Sequence, residues 1–81
     1  NRKFYMMYLA NAKIKTLYSD DGTRKAEVFK TTKNNIGYRK WRGSAHGKGW
    51  VFSSDVLYDS NEKTVRQVTD MAEDWVLREF G

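Results

Sequence analysis

This sequence predicts an α+β domain: an antiparallel sheet of three to five strands in meander order, packed on one face by a C-terminal amphipathic helix. Three features carry that expectation. Aromatic and β-branched segments with partial period-two alternation recur from Lys3 to Tyr58. Clusters of Asp, Asn and Gly punctuate them. Beyond Asp59 the apolar residues switch to helical spacing. The 81 residues are expected to form one domain, with sheet over 3–58 and helix over 60–80, because so short a chain cannot house a second core.

In chain order, Lys3–Leu9 reads as a strand, and Ala12–Tyr18 continues it with Ile14, Thr16 and Tyr18 on one side. Ala10-Asn11 between them reads as a bend or bulge. Ser19-Asp20-Asp21-Gly22 is a turn, since Asp bonds nearby backbone and Gly accepts positive φ. Arg24–Thr32 alternates, Ala26, Val28 and Lys30 against Lys25, Glu27 and Phe29. Asn34-Asn35 then marks either a true turn or a bend mirroring Ala10-Asn11. Ile36–Arg42 and Trp50–Tyr58 are the next strands, joined by Gly43–Gly49. Asp59 is placed to cap the helix, with Glu62 completing a capping box. Val65, Val68, Met71, Ala72, Trp75 and Val76 form its apolar stripe; Leu77 and Phe80 fall off it, and Arg66, Gln67, Asp70, Glu73 and Asp74 face away.

Composition narrows the function classes. With no Cys, the chain has neither disulfides nor thiolate metal sites. With a single histidine, His46, and acids scattered along the chain, no metal or other cofactor is expected. Twelve aromatic residues supply much of the area to be buried. The net charge of +5 is uneven: residues 1–58 hold twelve Lys/Arg against four acids, residues 59–81 three against six. A basic body with an acidic last segment orients encounters with a charged partner. No apolar run approaches the roughly 20 residues that span a bilayer, so no membrane partner is expected. Arg2-Lys3, FYMMYLA and Ala10-Asn11-Ala12 imitate a signal peptide, but Tyr5 and Tyr8 interrupt the apolar stretch. A cytoplasmic protein is expected, and a start at Asn1 suggests a trimmed or processed N-terminus.

Ile36–Trp50 is the segment richest in function. Arg39, Lys40, Arg42 and Lys48 lie there without an acid, interleaved with Tyr38, Trp41 and Trp50. Cations among flat rings on a hairpin suit a polyanion that also presents faces for stacking, which is nucleic acid. Alternation puts Tyr38, Lys40 and Arg42 on one face and Arg39 and Trp41 on the other. Arg39, Lys40, Arg42 and Lys48 are the expected phosphate contacts, supported by Lys30, Lys33, Arg24 and Lys25, with Tyr38 and Trp41 for stacking or contact area. The plain alternative is that the rings are core and the cations snorkel around them, and one of Trp41 and Trp50 is expected to be core.

Other candidates have simpler explanations. Gly43–Gly49 fails as a phosphate loop, with too few residues between its glycines, Gly after Lys48, and a strand following. Ser44 or Ser53 with His46 and Asp55 lacks the ordered context of a nucleophile. Asp20 and Asp21 are turn residues, and Met6-Met7 core. No catalytic residue is expected.

Strands followed by one helix across the sheet is a layout similar to that of some integrase-arm and plant-type DNA-binding domains, at the level of architecture alone. The expected function is a small non-enzymatic nucleic-acid-binding module, DNA ahead of RNA, acting as a monomer or weak homodimer through sheet edges. About six neutralised phosphates would give a log–log salt slope near −5 on a duplex. The alternative is an inhibitor or accessory subunit, of the kind phages and mobile elements encode, docking on an acidic protein surface.

Overall fold

The computed structural model describes residues 12–44 and 49–78. Strands β1 (Lys13–Tyr18), β2 (Arg24–Lys30), β3 (Asn35–Gly43) and β4 (Trp50–Asp59) form one antiparallel sheet in the order β1-β2-β3-β4, and helix α1 (Val65–Arg78) packs across it. This is the α+β meander that the segment pattern predicts. The strand expected at Lys3–Leu9, the Ala10-Asn11 bend, His46, Lys48 and Phe80 lie outside the described residues.

Each connection follows from its turn chemistry. Between β1 and β2, Gly22 takes φ 74°. Ser19 Oγ accepts the N–H groups of Thr23 and Arg24 at 3.1 and 2.9 Å. The Asp21 carboxylate accepts from the Thr23 hydroxyl at 2.7 Å, the Thr23 N–H at 3.0 Å and the Ser19 hydroxyl at 2.8 Å. The Thr23 hydroxyl and N–H, then the Ser19 hydroxyl, hold the Asp21 pKa down to about 2. A carboxyl whose folded pKa is depressed stabilises the fold above its unfolded value and loses that contribution as it protonates. The turn is therefore expected to loosen as pH falls from about 4 to about 2. Falling amide protection factors at Thr23 and Arg24 over that window check this, and Asp21→Asn should abolish the transition.

Asn34-Asn35 proves to be a true turn. Asn34 adopts φ 63°, a left-handed conformation that Asn tolerates, and Thr31 Oγ1 accepts the N–H groups of Lys33 and Asn35 at 3.2 Å each. The third connection closes with Ser44 N–H donating to Gly49 O at 3.2 Å, and Gly49 at φ 74°.

The helix starts later than expected. β4 stays paired as far as Asp59, opposite Asn35, and Asp59 then closes a turn: its carboxylate accepts the Asn61 N–H and its carbonyl the Glu62 N–H, both at 2.8 Å. The operative capping box is Thr64–Gln67. Thr64 Oγ1 accepts the Gln67 N–H at 3.1 Å while Gln67 Oε1 accepts the Thr64 N–H at 2.9 Å. Thr64→Ala should cost about 1 kcal/mol in urea unfolding, and Asp59→Ala should leave helix content unchanged.

One sheet face is core. Ala26 and Val28 from β2 and Ile36 and Tyr38 from β3 meet Val68, Ala72, Trp75 and Val76 from α1, with Leu17, Val56, Tyr58 and Met71 around the edge. The helix rests on β1, β2 and β3 and leaves β4 at the margin. Its C-terminal carbonyls are capped from the sheet: the Arg24 guanidinium donates to Val76 O at 2.7 Å and to Trp75 O at 3.2 Å. A cation is well placed there, where carbonyl groups lack helical partners.

Candidate nucleic-acid interface

The sheet register fixes what the second face carries. Across β1 to β4, Tyr18, Lys25, Trp41 and Phe52 are successive neighbours, as are Thr16, Glu27, Arg39 and Asp55 in the row beside them. Residues paired directly across antiparallel strands share a face. β4 carries one extra residue between Phe52 and Ser54, which brings Phe52 into line with Trp41. Trp50 is opposite Gly43, where β3 offers no side chain, and its ring lies 6.1 Å from Tyr18 at a 47° tilt. Four rings from three strands thus line one end of the face. Tyr18 and Phe52 are 60% and 46% exposed, and Trp41 and Trp50 are half-buried.

Cations are set among the rings. The Lys25 ammonium lies 5.1 Å from the Trp41 ring and 5.0 Å from that of Trp50. The Arg39 guanidinium lies 5.1 Å from Phe52 and 5.9 Å from Trp41, and these two rings meet edge to face at 5.9 Å. Such contacts fix the cations without neutralising them.

Carboxylates in the second row do neutralise. Arg39 donates through Nε and Nη2 to the two oxygens of Asp55, both at 2.7 Å. Glu27 accepts from Trp41 Nε1 at 2.7 Å and pairs with the Lys13 ammonium at 3.0 Å. Burial pushes the Glu27 carboxyl upward, but the Lys13 and Trp41 donors and the charges of Lys13 and Lys25 outweigh it and leave the pKa below 4.5. Glu27 therefore remains an anion on this face, and it orients the Trp41 indole.

Only some of the expected contact residues come together here. Arg39, Trp41 and Lys25 share the face away from the helix, which is open at the Tyr18–Phe52 end and closed at Phe29, 5% exposed. Tyr38, expected to stack or supply contact area, is 0% exposed beneath the helix. Lys40 and Arg42, expected on the phosphate surface, share Tyr38's face: the Lys40 ammonium is 5.8 Å from the Trp75 ring and the Arg42 guanidinium 5.7 Å from it. The helix covers the side of β3 on which these three residues point, which separates them from Arg39 and Trp41. Arg24 is engaged by the helix C-terminus, and Lys30 and Lys33 sit at the far end of β2, exposed. Lys48 is outside the described residues. Neither Trp41 nor Trp50 belongs to the core; the core indole is Trp75.

Tyr18, Phe52, Glu27 and Asp55 belong to the site but stand outside the Ile36–Trp50 segment that draws attention in the sequence. Pairing register is the signal that finds them, and the extra residue in β4 shifts it by one. Beside Trp50, a cleft of about 310 Å³ is lined by Gly22, Thr23, Gly43, Ser44 and Gly49, with no charged side chain among the described residues. Among the described residues no group of His, Cys, Asp or Glu is gathered to hold a metal ion. No described helix is long and apolar enough to cross a membrane. What the face offers chemically is ring surface, anchored cations and two paired carboxylates. Comparisons with protein-family models, with curated proteins and with solved structures find no match.

Proposed function

We propose that this chain is a non-enzymatic nucleic-acid-binding module of the cytoplasm that works through the open face of its sheet. The observation supporting this most is the row of Tyr18, Trp50, Trp41 and Phe52 with Lys25 and Arg39 held among the rings. Rings accept bases or sugars, Lys25 meets phosphate, and the net charge of +5 favours encounter with a polyanion. Arg39, Trp41 and Lys25 remain from the expected contact set; Tyr18, Trp50 and Phe52 join them, and Tyr38 and Arg24 are left to the fold. Lys25→Ala should weaken oligonucleotide binding several-fold, reduce the salt slope by about 0.7–0.9, and leave the urea midpoint within about 0.5 kcal/mol of wild type. Unchanged affinity and slope would clear Lys25, and absent binding at low salt would dismiss the reading.

A protein partner is the second reading, and one observation favours it. Val51, Phe52 and Leu57 are exposed along β4, the margin of the sheet, where Asp55 has already neutralised Arg39. Exposed apolar and aromatic side chains beside an edge strand suit docking of another polypeptide or a second copy. A protein partner retained after nuclease treatment supports this reading; a raised 260/280 absorbance ratio in the purified protein supports the first.

A further inference from the structure

We infer that the open face takes single-stranded nucleic acid, with bases on its exposed rings, and discriminates against duplex. This rests on the nucleic-acid reading above and names its substrate class.

The first argument is electrostatic. A duplex presents phosphates in a regular lattice, and its affinity comes largely from cations free to neutralise them. On this face the central cation, Arg39, stands between Glu27 and Asp55 across the strands and is held by both oxygens of Asp55. Lys13 is drawn to Glu27. A rigid phosphate array laid over the sheet would meet two carboxylates whose partners are already committed. Lys40 and Arg42, which would have reinforced it, point to the helix side. A flexible strand can steer its phosphates past the Glu27–Arg39–Asp55 row.

The second argument is steric. Tyr18 and Phe52 stand at opposite ends of one cross-strand row, with Lys25 and Trp41 between them. At about 4.8 Å between strands, that row is about 14 Å long. Its outer rings are the exposed ones, while the Lys25 ammonium occupies the space between the Trp41 and Trp50 rings. The arrangement places stacking surface at both ends and a phosphate-binding cation in the middle, which fits a strand with splayed bases. Paired and stacked bases inside a duplex cannot present their faces to Tyr18 or Phe52. Single-stranded DNA and RNA share the required chemistry.

The test uses the full chain and four labelled probes of equal length: oligothymidine, oligouridine, an abasic oligodeoxynucleotide and a duplex. Either single strand should bind at least tenfold more tightly than the duplex, and the abasic strand, with equal charge but no bases, should bind about 5- to 150-fold more weakly than oligothymidine. Tyr18→Ala should lower oligothymidine affinity over the same range while Tyr18→Phe retains it, since the ring carries the contact. With Lys25 neutralising one phosphate, the single-strand salt slope should be near −0.7. Duplex binding equal to or tighter than single-strand binding overturns the inference while leaving the nucleic-acid reading intact. So does an abasic strand that binds as well as oligothymidine. No binding of any probe at low salt overturns both.

Discussion

Tyr38→Ala is expected to remove about 3–5 kcal/mol of stability, the largest effect foreseen for any single change in this chain. Tyr38 is fully buried between β3 and α1, in the cluster that includes Val28, Val68 and Trp75. Truncation there loses the transfer energy of the ring and leaves a cavity that the paired β2 and β4 cannot readily fill. A domain of this size holds roughly 4–12 kcal/mol in all, so a measurable fraction of the variant should be unfolded in buffer. Urea denaturation with near-ultraviolet dichroism reads the loss; a change under 1 kcal/mol would mean that Tyr38 is not in the core. Tyr18→Ala is the control, expected within about 0.5 kcal/mol of wild type because Tyr18 is exposed.

The same burial, with Tyr58 nearby, raises the Tyr38 phenol above 10.0. An acid whose folded pKa is raised binds its proton more tightly when folded, so its contribution is intact below the unfolded value and declines above it. Stability should fall as pH rises from about 10 towards the raised value, and Tyr38→Phe should flatten that limb.

Asp55→Ala carries the second large effect and, on the proposed function, separates stability from binding. Arg39 and Asp55 retain only 15% and 17% of their side-chain exposure, and the pair makes two hydrogen bonds. Removing the carboxylate leaves a largely desolvated guanidinium with ring contacts but without its counterion. Complete burial would put the cost at about 3–5 kcal/mol; with the remaining access to water, about 2–3 kcal/mol is expected. Oligonucleotide binding should move the other way. The face loses one anion and Arg39 can meet a phosphate, so affinity should rise and the single-strand salt slope steepen by about 0.7. Loss of stability with weaker binding would show that Arg39 must be held in place to serve the ligand, or that the ligand binds elsewhere. Arg39→Ala is not a neutral probe of binding either, because it strands Asp55.

Local pattern carried much of the fold. The Ser19–Gly22 turn is readable because the Asp and Gly chemistry acts within a few residues. The strands are readable because alternation is a property of each segment, and the same alternation correctly places Tyr38, Lys40 and Arg42 together and Arg39 with Trp41. It could not say which group lies under the helix, since both contain aromatic and cationic residues. The helix start was misplaced for a similar reason. Asp59 with Glu62 and Thr64 with Gln67 both satisfy the spacing of a capping box, and the choice between them was made by β4, which remains paired to β3 as far as Asp59. The electrostatics of the open face were least legible. Arg39 finds Asp55, Trp41 finds Glu27 and Arg24 finds Val76 through strand register and helix docking, across 16, 14 and 52 residues of chain.

By itself, then, the order of residues determined an antiparallel meander, a terminal amphipathic helix, the grouping of side chains along each strand and a polarised charge. Those follow from periodicity and from turn and helix chemistry, which act over a few residues. Only the tertiary structure decided that Tyr38 is core, that Lys40 and Arg42 flank Trp75, and that Tyr18, Trp50, Trp41 and Phe52 line one face beside neutralised Arg39. Each of those outcomes depends on which sheet face the helix covers and on which residues the register sets opposite one another, and both are set by contacts between segments far apart in the chain.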